Sequence, residues 1–416
     1  MQALILAGGA SSRFWPVNGY HKCLMKIMGR PMILSLIEGL KEKGIKEVLI
    51  VQGPEKEIEK ELNNHNIDLP LKYIVQLSPK GTGDAILKAE KLLQDQLFVF
   101  NAERVDARDN IDLVLKKLKD KEDLVVLAGE TKTPWLYGIL KTEGEKMIDL
   151  VEKPEKGKEP SNLKLVGTYL IPKKFLDYLK RVPQDDYSLI HALLLYAKEK
   201  GVKVADVGKE TFALKYPWDL FPIRNYIFDN FLKEKVSKSA KVAKSAIIEG
   251  KVFIGDGVEI MEGVKIKGPC FIGKNCFLGN NALVRDYSDL EEESLVGGFA
   301  EVTRSLFQER VFTHSGYFGD SIVGKGCYIG AGVITANIRL DKKGIKTIVK
   351  DKEILTGFKK LGAVIGKKTK IGINASLMPG VLIGSNCTIG PHSIVLGNIG
   401  DNITFYSKAE SVIEKK

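Results

Sequence analysis

From Ala246 onward an aliphatic residue recurs at every sixth position: Ile248, Ile254, Ile260, Ile266, Ile272, Leu278 and Val284. A second series repeats the pattern at Ile365, Ile371, Leu377, Ile383, Ile389 and Val395. Glycine follows the aliphatic in FIGDG, FIGKN, YIGAG, VIGKK, KIGIN, LIGSN and TIGPH. One aliphatic and one turn glycine per six residues is the pattern of a parallel β-helix, in which each unit forms a flat wall, points its aliphatic inward and stacks on the next coil.

The position two before each aliphatic also points inward and is small. It reads Ala246, Val252, Val258, Val264, Cys270, Cys276 and Ala282, then Ala363, Thr369, Ala375, Val381, Cys387 and Ser393. Cys327 holds the same register before Ile329, so four of the 5 cysteines are expected to fill the solenoid core. With Cys23 far away and no CxxC spacing, neither a disulfide framework nor a zinc site is expected.

The first half of the chain follows another grammar. ALILAGG reads as a strand ending in glycines, PMILSLIEGLKEKG as an amphipathic helix with a glycine stop, and EVLIVQG, LFVF and DLVVLAG as further strands. Strands alternating with helices imply a largely parallel sheet, with ligands bound beyond the carboxyl ends of its strands. PWDLFPIRNYIFDNFLKEK reads as a connecting helix whose aromatic and aliphatic stripe is a packing face. The segments 290–315 and 336–358 break the six-residue period and are expected to project as insertions.

The formal charge of +11 comes from cations dispersed among acidic residues, with no arginine-rich arm, so no nucleic-acid partner is expected. No apolar run is long enough for a membrane helix, and MQALILAGG lacks a basic n-region, so a cytoplasmic protein without a membrane partner is expected.

LILAGGASSRFWP, followed by HKCLMKIMGRPMI, offers backbone amides from Gly8 to Ser12 with Arg13 and then Lys22, a combination able to hold a triphosphate. The segment resembles the opening of the sugar-1-phosphate nucleotidylyltransferases, L-x-G-G-x-G-T-R-L-x-P and then P-K, through Gly8, Gly9, Arg13, Pro16 and Lys22. Gln76 with Gly81 and Thr82 looks like the base-recognition segment, and Tyr137-Gly138 and Glu152-Lys153-Pro154 like the sugar-contacting segments. The second part resembles the left-handed β-helix acyltransferases. Across nearly all of its 416 residues, the chain is similar to enzymes that join a uridylyl- or thymidylyltransferase to an amino-sugar-1-phosphate N-acetyltransferase.

The resemblance implies a Rossmann-like α/β nucleotidyltransferase domain (1–218), a linking helix and connector (219–245), a left-handed β-helix (246–402) and a tail (403–416). It implies nucleotide binding by Leu6, Gly8, Gly9, Gln76, Gly81 and Thr82, and sugar-phosphate binding by Gly138, Glu152, Lys153 and Gly167. Arg13 and Lys22 would ease the approach of two anions, with UTP or dTTP as nucleotide and Mg²⁺ as metal. The family's first magnesium carboxylate aligns with Glu103, and its second with Ala213, which ligates nothing. Asp84, Asp106 and Asp219 are the carboxylates that could compensate.

FTHSGYFGDSIVGKGCYIGAGVITANIRLD resembles the family's acetyltransferase stretch through His314, Tyr317, Gly319, Asp320, Ala331 and Asn337. Histidine suits the base that takes a proton from an amine attacking acetyl-CoA. Arg285, Tyr317, Ala331 and Asn337 are the implied substrate and acetyl-CoA contacts. Tyr328, Thr303 and Phe358 stand where the family has asparagine, lysine and arginine, which suggests a shifted phosphate grip involving Arg285 or Arg304. The resemblance also implies a homotrimer through the β-helix. Against this enzyme stand two rivals: a nucleotide-sugar-binding regulatory paralogue, and an acyltransferase with a vestigial first domain.

Overall fold

The computed structural model describes residues 1–408, which form two compact units. The first comprises Met1–Ala10 and Pro31–Ala213; the second comprises Ser11–Arg30 and the described chain from Leu214 onward. The part of the expected tail beyond residue 408 lies outside the described residues.

In the first unit, strand β1 (Gln2–Ala7) is an apolar run buried along most of its length. Helix α1 (Ile33–Glu42) buries Ile33, Leu36, Ile37 and Leu40, the i, i+3, i+4, i+7 stripe of an amphipathic helix. The chain then leaves the helix through Gly44 at φ +77, a conformation that costs glycine little. The unit continues with β2 (Glu47–Gln52), β3 (Leu71–Val75), α2 (Gly81–Lys88), β4 (Gln96–Asn101), α3 (Ala107–Leu115), β5 (Val125–Glu130), β6 (Gly138–Glu143), β7 (Lys146–Glu152), β8 (Leu163–Pro172), α4 (Ser188–Glu199) and β9 (Val202–Glu210).

The nine strands form one sheet in the order β3-β2-β1-β4-β8-β5-β9-β7-β6. β1 pairs in parallel with β2 and β4, and β9 in parallel with β5. β8 runs antiparallel to both β4 and β5, so the sheet is mixed about its centre. The α/β alternation places the carboxyl ends of β1, β3 and β4, and the loops that follow them, at one edge.

The second unit opens, from Leu214, into helix α5 (Leu220–Phe231), whose Leu220, Phe221, Ile223, Ile227 and Phe228 are buried as a packing stripe. Arg224 lies in the same stripe, 2% exposed, which the sequence pattern did not foreshadow. Beyond the helix the chain winds into three parallel sheets of eight, nine and eight strands. One wall reads Ile254, Ile272, Leu290, Phe307, Val323, Ile365 and Ile383, each paired with the next. The aliphatics of the repeat, with Cys270, Cys276, Cys327 and Cys387, form one continuous core. Corner residues Asn275, Asn281 and Asn374 sit at φ 55, 59 and 55, a left-handed conformation that asparagine tolerates better than most residues.

The break in period at 290–315 is not a projecting insertion. Coiling continues through it with rungs shortened by one or two residues: Leu290 pairs with Phe307, and Phe307 with Val323. The lysine-rich break at 336–358 does leave the solenoid, as an antiparallel hairpin of Lys346–Val349 and Lys352–Leu355. The coil then resumes, with Val323 pairing directly to Ile365. Thr404–Phe405, inside the segment expected as tail, adds a further rung against Thr388–Ile389.

Candidate active sites

In the first unit the nucleotide-binding candidates converge. Leu6 lies near the carboxyl end of β1 and Gly8 just beyond it. Gln76 follows β3 and is held by its own amide to Gln52 O at 2.8 Å. A Cβ placed on Gly8 would lie 2.5 Å from Gln76 Oε1, so any larger residue here would have to displace that side-chain amide. Gln76 Nε2 donates in turn to Asp84 Oδ2 at 2.6 Å. Gly81 and Thr82 begin α2; Gly81 has φ +85, and a Cβ on it would come 2.7 Å from Asp186 Cα. Gly9 has open space around its Cα.

The sugar-side candidates gather around β4, β6, β7 and β8. Gly138 pairs with Glu152 across β6 and β7, and a Cβ on it would lie 2.8 Å from Glu152 Oε2. Lys153 Nζ is 3.2 Å from Glu152 Oε1 and 5.7 Å above the Tyr187 ring. Gly167 in β8 faces Asn101, whose Nδ2 would be 2.2 Å from a Cβ at that position. Two residues on, Tyr169 is buried, and burial first, then the charges of Glu152 and Glu103, pushes its phenol up.

Asn101, Tyr169, Arg104 and Lys164 were missed by sequence reasoning. Arg104 is 2% and Lys164 3% exposed. Arg104 Nη1 donates to Phe212 O at 2.7 Å, and Lys164 Nζ to Thr211 O at 2.7 Å. Two buried cations therefore hold the carbonyls just before Ala213. The only available signal was that Arg104 directly follows Glu103.

A magnesium site built on two protein carboxylates does not fit these residues. Arg104 Nη2 engages one oxygen of Asp106, whose buried Oδ1 has no hydrogen-bond partner, and Gln76 Nε2 engages Asp84. Asp219, in the second unit, accepts the amides of Lys215 and Tyr216 at 2.7 and 2.8 Å, and burial pushes it up to about 6. Among the described residues no group of three His, Cys, Asp or Glu side chains is arranged to hold a metal. Glu103, which the resemblance puts at the family's first carboxylate position, is half-buried just beyond β4.

Arg13 and Lys22 belong to the second unit. Arg13 is exposed on the short turn Ser12–Phe14. Lys22 is half-buried rather than a plain surface lysine: its Nζ donates to Leu214 O at 2.6 Å, and its amide to Ser11 Oγ at 3.2 Å.

The acetyltransferase candidates form a connected polar network on the β-helix. Asn337 Nδ2 donates to Tyr317 Oη at 3.1 Å and to Asp320 Oδ2 at 2.6 Å. Arg304 grips Asp320 through Nε and Nη2 at 2.7 and 2.9 Å, and its Nη1 reaches Thr303 Oγ1 at 3.0 Å. Arg285 binds Glu301 through Nε and Nη2 at 2.9 and 2.7 Å, and also Asp286. His314 stands apart, exposed, its ring 6.5 Å from that of Tyr328. Ala331 occupies a coil corner, its carbonyl accepting the amide of Asn374 at 2.8 Å. Phe358, at the family's arginine position, packs edge-on to Phe221 at 6.2 Å.

Residues 2–212 match the family described as Nucleotidyl transferase, and residues 251–286 and 362–397 match Bacterial transferase hexapeptide (six repeats). The chain is 34% identical to Bifunctional protein GlmU of Methanococcus maripaludis and 33% identical to that of Methanocaldococcus jannaschii, over 100% of each chain. It is 31% identical to a bifunctional sugar-1-phosphate nucleotidylyltransferase/acetyltransferase of Sulfurisphaera tokodaii, covering 96% of this chain and 98% of that one. With a nucleotidyltransferase fold followed by a hexapeptide β-helix, and this likeness from end to end, the chain belongs to the bifunctional GlmU family.

Proposed function

We propose that the protein is a bifunctional enzyme of nucleotide-sugar biosynthesis: a sugar-1-phosphate nucleotidylyltransferase fused to an acetyl-CoA-dependent amino-sugar-1-phosphate N-acetyltransferase. The observation that carries this reading is the full-length likeness, at 31–34% identity, to relatives named Bifunctional protein GlmU and to one named a bifunctional sugar-1-phosphate nucleotidylyltransferase/acetyltransferase. A binding paralogue or a vestigial first domain is the less favoured reading.

In the first reaction a phosphate oxygen of the sugar-1-phosphate attacks the α-phosphorus of the nucleoside triphosphate, and pyrophosphate leaves. Two polyanions must meet, so positioned positive charge is the main requirement. Arg13 and Lys22 supply it. Gly8, Gly9, Gln76, Gly81 and Thr82 receive the nucleotide, UTP or dTTP, while Gly138, Glu152, Lys153 and Gly167 receive the sugar phosphate. Enzymes of this family typically use a divalent metal; Mg²⁺ here would have Glu103 as its protein carboxylate, a sparse anchor for an ion that otherwise keeps to water and substrate phosphates.

In the second reaction His314 takes the proton as the amine attacks the thioester, and coenzyme A leaves. Tyr317, Asn337 and the Arg304–Asp320 pair order the substrate side, with Arg285 and Ala331 as further contacts. The functional division follows 1–218, the linking helix within 219–245, and the β-helix of 246–402. The protein acts as a cytoplasmic homotrimer through β-helix walls that expose Phe299, Phe312, Tyr328 and Ile394. No helix among the described residues is long and apolar enough to cross a membrane.

Two assays on the full chain test this reading. One measures pyrophosphate release across a panel of nucleoside triphosphates and sugar-1-phosphates; the other measures thiol release from acetyl-CoA with amino-sugar-1-phosphates. Silence in both would refute it. A single-chain mass by light scattering at micromolar concentration would refute the trimer.

A further inference from the structure

Within the second unit, the segment Ser11–Arg30 runs along the β-helix from its late coils to its early ones. Lys350 Nζ donates to Ser12 Oγ at 2.8 Å, and Trp15 Nε1 lies 3.2 Å from both carboxylate oxygens of Asp401. Gln308 exchanges bonds with Lys26, accepting its amide at 3.3 Å and donating to its carbonyl at 3.1 Å. Lys26 Nζ pairs with Glu309 at 2.7 Å. Lastly, the amide of Met28 donates to Asp289 Oδ2 at 3.1 Å, and that of Gly29 to Glu291 Oε1 at 3.0 Å.

The two carboxylates are unusual for their place. Asp289 stacks in register between Phe271 and Leu306, at the middle of a three-residue rung whose other two side chains point inward. A side chain there faces outward and would ordinarily be solvated. Yet Asp289 and Glu291 are each 0% exposed, and Asp289 Oδ1 and Glu291 Oε2 find no hydrogen-bond donor. Burying two carboxylates side by side is costly unless they are neutralised, and one amide each does not offset that cost. In some proteins buried polar groups of this kind serve conformational specificity rather than stability, and here they would fix the placement of the segment they bind.

The segment they hold carries Arg13 and Lys22. We propose that Asp289 and Glu291 are positioning residues for nucleotidyl transfer, clasping the Ser11–Arg30 segment onto the β-helix so that the second unit sets the placement of Arg13 and Lys22. The proposal rests on the reading of those two cations as the groups that bring the anionic substrates together.

The clasp is also sensitive to pH. Burial pushes Asp289 up to about 7 and raises Glu291 well above its usual range, while the Met28 and Gly29 amides oppose both shifts. The groups facing the pair are Arg224 on α5, Lys26 on the segment, Glu309 on the next coil, and the buried thiols of Cys270 and Cys276. A proton shared between the carboxyls satisfies both; its loss leaves two buried like charges and loosens the segment.

The test uses the full chain and the pyrophosphate-release assay with UTP or dTTP, as a function of pH, with acetyl-CoA thiol release measured on the same samples. Asp289→Ala is expected to lower kcat for nucleotidyl transfer about tenfold or more, with a smaller effect on KM and acetyl transfer intact. In the wild type, kcat should decline as pH rises through neutrality. The combined Asp289→Asn and Glu291→Gln variant keeps the amide acceptors and cannot lose the shared proton, so it should hold its kcat there. If Asp289→Ala fails to fold, seen as lost acetyl transfer, the pH comparison between wild type and the combined variant decides. Superimposed pH profiles, or a wild-type kcat in a folded Asp289→Ala, would overturn the clasp alone. A wild type that releases no pyrophosphate at any pH would refute the catalytic reading beneath it.

Discussion

Arg304 holds Asp320 with two guanidinium nitrogens, Nε on Oδ1 at 2.7 Å and Nη2 on Oδ2 at 2.9 Å, and Asp320 in turn accepts from Asn337. The hydrogen bond to Asp320 is the main reason the Arg304 guanidinium lies above its ordinary range. Because Asp320 is 7% exposed, removing Arg304 leaves a largely buried carboxylate short of a partner. Arg304→Ala is expected to lower acetyl transfer about tenfold or more and to destabilise the protein by about 1–3 kcal/mol. Arg304→Lys cannot make the two-point contact and should recover only part of either. Thiol-release kinetics and thermal unfolding check both.

His314→Ala should separate the two activities. Loss of a general base typically costs about 10²- to 10⁴-fold, so acetyl transfer should fall by that much while pyrophosphate release stays unchanged. Equal activity of the variant in the thiol assay would remove His314 from the reaction.

Ala213→Asp tests the eroded metal site. The variant restores a carboxylate next to carbonyls held by Arg104 and Lys164. Nucleotidyl transfer at limiting Mg²⁺ is expected to rise about tenfold, since an ion that tolerates misplacement poorly would regain a second anchor. Initial rates across a Mg²⁺ titration read this directly. An unchanged titration would mean that substrate phosphates and Glu103 suffice.

Asp219 gives a stability signature. Burial raises it to about 6 against an unfolded value near 3.9, so the folded state binds the proton more tightly. Its contribution is therefore fully present below about pH 4 and is lost as pH rises to about 6. Asp219→Asn keeps an oxygen for the Lys215 and Tyr216 amides and removes the charge. It should leave the protein about 1–3 kcal/mol more stable than wild type above pH 6, with little difference near pH 4. Denaturant unfolding at the two pH values measures the difference.

The β-helix was legible because its order is local. A period of six with an aliphatic and a glycine states which residues face inward regardless of what lies elsewhere, and the continuous core from Val252 to Ile399 follows it. The strands and helices of the first unit were legible for the same reason: β1, α1 and β2 follow from apolar runs and a 3.6-residue stripe. The glycine-rich opening, Gln76 and the Tyr317–Asn337 stretch could be picked out because motif residues lie close together in the chain. What the tertiary structure alone decided are pairings across long sequence separations. The period break at 290–315 reads the same for a looped insertion and for a shortened coil, and only stacking against neighbouring coils distinguishes them. Lys164 and Arg104 read as ordinary surface cations until folding brings the carbonyls of Thr211 and Phe212 to them. Asp289 and Glu291 sit in an acidic run that reads as solvated surface. Folding buries them beside a segment some 260 residues earlier in the chain, whose Met28 and Gly29 amides reach their carboxylates, and burial is a property of what covers a side chain, not of its neighbours in sequence.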